Sequence, residues 1–435
     1  MGNLPLANIL RHKLRSVLSA VGIGIGICML VTLSGLARGS LYEVADRWES
    51  VDAELIVYPR IWGDNVTTLS GVGLPDRRIV HLPEAHPDIV IDAVPAFLWR
   101  MELAGQDQLV VGVDSAAEAW KRLTGGRTLI RGRWCEQDVR ADDGRTASQW
   151  LTETLLADEP DTTPPGESPR LPDWPETQPA GAPRHDAVLS MRHIQAQLRQ
   201  RGGFELVIDA RLADAGGYHV GQTVRAGNHD WRIVGVVPAG GLGRVFMPRR
   251  VAQFVFGSGD IRVSTLGFVK LRDGVEPGEA AARLTDATRQ AVQVRQYRHM
   301  LEEKFGVMFR YVDMVNVIAL VIAFLFIMVT LYTMVLQRTR DIAILKACGA
   351  SNGFILRQVM GESLLLTAAG LVAGVGMSFL AAWGIETTRP LLTVTITWRW
   401  LVTAAGVAAV GAVASALYPA WRATRVDVAA ALTLE

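Results

Sequence analysis

Charge is missing from four stretches of this chain. Ser16 to Ala37, Met314 to Gln337, Ser363 to Ile385 and Trp400 to Trp421 hold no Asp, Glu, Lys or Arg. A hydrocarbon core about 30 Å thick needs about 20 apolar helical residues, and buried helices of water-soluble proteins rarely run so far uncharged. The runs therefore read as four transmembrane helices. They also lack the carboxylates and bases that mark ion pathways, so ion coupling is not expected. Cysteine is scarce: Cys28 falls in the first run, Cys135 in the loop after it and Cys348 beyond the second run. With those placements no internal disulfide is expected. The chain has almost no net charge, +1 over 435 residues, which gives no reason to expect nucleic acid.

Motifs of catalysis are absent too. No G-x-x-x-x-G-K-[ST] phosphate loop occurs, and the nearest cluster, Gly240-Gly241-Leu242-Gly243-Arg244, lacks the Lys and Ser/Thr that hold phosphate and Mg²⁺. It reads as a flexible turn. His81, His86, His185, His193, His219, His229 and His299 are scattered without an HExxH spacing, and Ser190 and Ser264 lack a G-x-S-x-G setting. Neither enzymatic activity nor a bound metal or cofactor is expected of this chain alone. An energy source would have to come from a partner.

What is present is basic residues beside the uncharged runs. Arg11, Lys13 and Arg15 precede the first, Arg338, Arg340, Lys346 and Arg357 lie between the second and third, and Arg422 and Arg425 follow the fourth. The positive-inside bias puts all three clusters in the cytoplasm. The expected layout is a cytoplasmic segment 1–15, spans at 16–37, 313–337, 363–385 and 400–421, a cytoplasmic loop 338–362, a short outer loop 386–399 and a cytoplasmic tail 422–435. Residues 38–312 then lie outside. The first run exceeds the roughly 7 to 15 residues of a signal-peptide core, so it reads as an uncleaved anchor.

The outer segment carries strand patterning at Leu55–Tyr58, Ile89–Val94, Leu109–Val113, Leu206–Ile208, Trp231–Val237 and Leu266–Leu271. Helical spacing occurs at Val188–Arg201 and Pro277–Gln290. The fold class is thus a membrane α-helical protein with a large extracytoplasmic α+β domain inserted between the first and second helices. Residues 136–184 are acidic and Pro-rich and read as an irregular, solvated insertion. From Ala291 to Asp313 there is no Pro and one Gly, Gly306. A helix running from the outer domain into the second span is expected there, with Gly306 as the point where it could break.

Arg340-Asp341-Ile342-Ala343-Ile344-Leu345-Lys346-Ala347-Cys348-Gly349-Ala350-Ser351 resembles the cytoplasmic signature of the FtsX-like and MacB-like ABC transporter permeases. Tyr418-Pro419-Ala420-Trp421-Arg422-Ala423-Thr424-Arg425 resembles their C-terminal close, and Ala210–Ala213, Val220–Val224, Val234–Val237 and Val245–Pro248 are similar to their extracytoplasmic fold. Asp341, Lys346 and Cys348 depart from the usual Glu, Arg and Leu; the first two keep charge and change reach. The resemblance implies a mechanotransmitting permease subunit in a bacterial inner membrane, paired with a second permease subunit as a homodimer and seated on an ABC ATPase that holds ATP and Mg²⁺. It implies work in efflux, in lipoprotein or lipid handling or on the cell envelope, with a periplasmic adaptor or envelope protein as a further partner. The coupling residues it implies are Arg338, Arg340, Asp341, Ile342, Leu345, Lys346, Gly349, Ala350 and Ser351.

The residues alone leave alternatives. Ile342, Leu345 and Cys348 fall at i, i+3 and i+6, an apolar stripe rimmed by charge, which suits either a groove on a partner or an interfacial helix among membrane lipids. Gly22 with Gly26, and Gly370 with Gly374, form G-x-x-x-G pairs that let helices approach closely, within the chain or between two copies. A membrane-anchored sensor or scaffold with a ligand-binding outer domain and no ATPase is the alternative function.

Overall fold

The computed structural model describes residues 13–62, 73–114, 119–139, 141–156, 193–257, 259–337 and 339–425. They form two compact units, one of residues up to Tyr42 together with Lys304 onward, the other Glu43–Glu303.

The first unit is helical: α1 (Lys13–Glu49, continuing into the second unit), α2 (Gly306–Gln337), α3 (Thr339–Ala347), α4 (Asn352–Thr388) and α5 (Trp398–Thr424). Three helices among the described residues are long and apolar enough to cross a membrane, Ser16–Glu49, Asn352–Thr388 and Trp398–Thr424. The helix Gln296–Lys304 with Gly306–Ile322 counts as a fourth only if the two are taken as one broken span. Small residues set the packing. A Cβ on Gly374 would lie 2.7 Å from the Gly24 carbonyl oxygen, and one on Gly370 2.6 Å from Cβ of Ile23. Gly370 and Gly374 therefore serve a contact between α1 and α4 of one chain, and the glycine they meet is Gly24, between Gly22 and Gly26. Ile23, Ile27, Leu30 and Val31 pack with Leu366, Ala404, Ala408 and Ala416 around this contact.

The second unit is α+β. Its main sheet runs β12 (Arg289–Gln293), β1 (Leu55–Pro59), β11 (Leu266–Leu271), β3 (Val90–Leu103), β4 (Gln106–Val113), β9 (Val245–Pro248), β6 (Glu205–Asp209), β8 (His229–Val237) and β5 (Arg131–Gly132), with β7 (Thr223–Ala226) also on β8, and β2 (Leu74–Pro75) pairs with β10 (Val263–Ser264) in a second sheet. Long β3 joins the halves: Val94 pairs with Phe268 of β11, and Phe97 pairs with Gly112 of β4. All six expected strands are present. Leu55, Val57, Ile79, Leu82, Val269, Leu271 and Leu284 form the core under the β1 end.

Three expectations need correction. The helix expected over Pro277–Gln290 ends at Leu284, because Asp286 accepts from the N–H groups of Thr288 and Arg289 in a turn that starts β12. No continuous rod spans Ala291–Asp313: β12 occupies 289–293, and Gln296–Lys304 is separated from α2 at Phe305. Residues 136–139 and 141–156 of the supposed insertion are folded, with Glu136, Ala147 and Leu151 buried and a helix over Ala147–Leu156; residues 140 and 157–184 lie outside the described set. The helix expected over Val188–Arg201 is present at 193–200, and residues 188–192 lie outside the described residues.

Candidate coupling site

The expected coupling element is α3. Its polypeptide stops because Gly349 takes φ +91, a left-handed value that favours glycine. Ala350 N–H donates to the Leu345 carbonyl at 2.9 Å, and Gly349 N–H to that of Lys346 at 2.9 Å. Ser351 restarts the chain as the N-cap of α4, its Oγ accepting from Phe354 N–H at 3.3 Å. Gly349, Ala350 and Ser351 thus build the turn between two helices.

The expected stripe divides. Ile342 is buried, packing with Val335, Ile355, Val359, Ala420 and Ala423, and Ala343 is fully buried. Ile342 is therefore committed to its own chain, since Val335 of α2, Ile355 and Val359 of α4 and Ala420 and Ala423 of α5 converge on it. Lys346 is turned inward as well, its Nζ donating to the Thr424 carbonyl at 2.7 Å. Leu345 is half-buried. The outward face consists of Arg340, Ile344 (46% exposed) and Cys348, spaced four apart, with Leu336 and Phe354 exposed at either end. Ile344 was not among the expected residues, although its i+4 relation to Arg340 and Cys348 carried the signal. Arg338 lies outside the described residues, and the side chain of Asp341 is not described.

A second cluster holds the far end of α1 inside the outer unit. This helix is unbroken for 37 residues, about 55 Å at 1.5 Å per residue, well beyond the roughly 30 Å of a hydrocarbon core. Arg47, buried, donates to Glu43 Oε1 at 2.8 Å and lies 3.5 Å from Asp209 Oδ2. Glu43 Oε1 also accepts from Arg244 at 3.0 Å and from Arg211 at 3.2 Å. Asp209 N-caps the helix Ala210–Gly216, accepting from Leu212 N–H at 2.7 Å. Burial pushes the Asp209 carboxyl above the usual range, outweighing the Leu212 N–H and Arg47; burial likewise pushes the Arg244 guanidinium down. On the other side of α1, Trp48 stacks on Tyr297 with centroids 4.2 Å apart, and Arg298 binds Glu49 at 3.1 Å and Asp46.

The Gly240–Arg244 loop belongs to this clamp and is not a flexible turn. Ser50 Oγ donates to the Gly240 carbonyl at 2.8 Å, and Leu242 is buried. A Cβ on Gly243 would meet Val111 Cγ2 at 2.5 Å and the Leu109 carbonyl oxygen at 2.9 Å, so the glycine allows close packing. Sequence reasoning missed Glu43, Arg47, Asp209 and Arg244, which lie far apart in the chain and carry no shared motif. Among the described residues no group of His, Cys, Asp or Glu has the geometry to hold a metal ion.

Comparison with known proteins places these parts. Residues 314–428 match the FtsX-like permease C-terminal family, and residues 176–287 match the MacB-like periplasmic core domain. The chain is 25% identical over 405 residues to the macrolide export ATP-binding/permease protein MacB 2 of Aeromonas hydrophila, covering 86% of this chain and 51% of that protein. It is 22% identical to the MacB protein of Vibrio parahaemolyticus, covering 87% and 51%. The chain thus spans about half the length of the curated relatives it matches. Among solved structures it resembles the periplasmic region of MacB from Actinobacillus actinomycetemcomitans, at 12% identity and TM-score 0.33, over 58% of this chain and 95% of that one.

Proposed function

This chain carries the domains of the FtsX-like and MacB-like ABC transporter permeases, and from that premise we propose that it is a permease subunit which turns a partner's ATP cycle into movement of its outer domain. The observation that carries the reading is α1, a single helix whose last two turns are fixed by the Glu43–Arg47–Asp209–Arg244 cluster. A rigid rod fixed at one end in a folded domain delivers displacement to it, because a packed interior repacks as a unit and does not deform smoothly.

In the proposed arrangement α2 is the fourth span, the chain is multi-pass in an inner membrane, and α3 lies at the cytoplasmic face. An ABC ATPase, which binds ATP and Mg²⁺, seats on the face formed by Arg340, Ile344 and Cys348. Here the apolar contact is supplied by Ile344, since Ile342 is committed to the chain's own core. A second copy of the permease completes the assembly. Relatives named for macrolide and pyoverdine export favour efflux of a small molecule over lipid handling. Work of this kind is done outside, so substrate need not pass between the spans, and a periplasmic adaptor would carry it onward.

The test is Ile344→Asp in the full chain. It places a charge on an exposed position without disturbing the core, and the ATPase is expected to stop co-purifying. Undiminished association would contradict the docking face and favour a passive sensor or scaffold.

A further inference from the structure

Two polar pairs lie between α1 and α2 where both helices would leave the membrane. Ser34 and Arg38 are four residues apart and share a face of α1; Phe309, Asp313 and Asn316 share a face of α2. Asn316 Nδ2 donates to Ser34 Oγ at 2.9 Å in a buried position. Arg38 Nη2 donates to both Asp313 oxygens at 3.3 Å, and its guanidinium lies over the Trp400 ring at 4.5 Å and the Phe309 ring at 5.4 Å. One arginine therefore gathers α1, α2 and the first turn of α5.

These side chains are a poor choice for adhesion alone. Asn316 Oδ1 is buried with no hydrogen-bond partner among the described residues, and an apolar residue there would avoid the cost of desolvating an amide. What a buried polar pair supplies is register: slipping either helix by one turn breaks both bonds at once, whereas apolar neighbours tolerate the slip. The same part of α1 is seated on the loop before α5. Thr395 N–H donates to the Gly35 carbonyl at 3.1 Å, and a Cβ on Gly39 would lie 2.6 Å from Thr395 Oγ1.

We propose that Ser34–Asn316 and Arg38–Asp313 are positioning pairs that form a polar latch, holding α1 against α2 in one register. In the cycle proposed above, on which this clause alone rests, the latched helices move as one body.

The test uses the full chain in lipid nanodiscs without any ATPase. Cys28, Cys135 and Cys348 are replaced by Ser, and spin labels are placed through Met29→Cys and Ile322→Cys, both on exposed faces. Pulsed dipolar spectroscopy is expected to give one narrow distance. Asp313→Ala should raise the population at other distances about tenfold, Asn316→Leu about threefold, and Asp313→Glu should restore the parent distribution. An unchanged distribution in Asp313→Ala or Asn316→Leu, or a failure of Asp313→Glu to restore it, would overturn the latch. Because no ATPase is present, that failure would leave the docking face on α3 untouched, and loss of docking would leave the latch untouched.

Discussion

Asp209 caps a helix and faces Arg47, and the two roles respond differently to substitution. Asp209→Ala removes both, and a loss of about 2 kcal/mol from the outer unit is expected, read by hydrogen exchange of the full chain. Asp209→Asn keeps an oxygen for the Leu212 N–H and removes the charge. The pH dependence follows from the raised carboxyl. A carboxyl whose folded pKa exceeds its unfolded one favours folding fully below about pH 4, and that contribution fades as pH rises through the folded value. The stability of Asp209→Asn relative to the parent should therefore be greater at pH 7.5 than at pH 4. An opposite trend in thermal melts would mean that Arg47, and not desolvation, sets the ionisation. None of this was legible beforehand, since Glu43, Arg47, Asp209 and Arg244 meet only through tertiary folding. The inward turn of Ile342 was hidden for the same reason: its spacing marks it as apolar but does not say which surface it faces.

At the scale of elements, glycines that look alike in sequence separate by contact. Gly374→Ala would bring Cβ to 2.7 Å of the Gly24 backbone oxygen, whereas a Cβ on Gly384 of the same helix meets nothing within 4 Å among the described residues. Gly374→Ala is expected to cost about 1–3 kcal/mol in detergent melts, and Gly384→Ala to be neutral or stabilising. Equal effects would argue against the α1–α4 contact. Gly349→Ala, at φ +91, should destabilise the α3–α4 turn by about 1 kcal/mol. Elements were legible where one property dominated. Uncharged runs marked the apolar helices, and β-branched clusters marked β1, β3, β4, β6, β8 and β11. Strand β12 was not, because Arg-Gln-Ala-Val-Gln is a polar edge strand that follows helical spacing without a Gly or Pro to announce the turn. Residues 136–139 and 141–156 were hidden by their acidic composition, although Ala147 and Leu151 are apolar positions four apart that the fold buries.

For the whole molecule, the proposed path of force runs from a cytoplasmic docking face through an unbroken helix to a clamped outer domain. That path depends on the sidedness of α3, which the basic residues imply through the positive-inside bias. The chain supplies its own probe. Cys348 is exposed, while Cys135 is buried and its thiol is pushed well above the usual range by desolvation, so it should not react while the outer unit stays folded. In a chain carrying Cys28→Ser and Cys135→Ser, a membrane-impermeant maleimide is applied to intact cells and to inverted membrane vesicles. Cys348 is expected to be unlabelled in cells and labelled in inverted vesicles; labelling in intact cells would place α3 outside and contradict the transmission of force from a cytoplasmic ATPase.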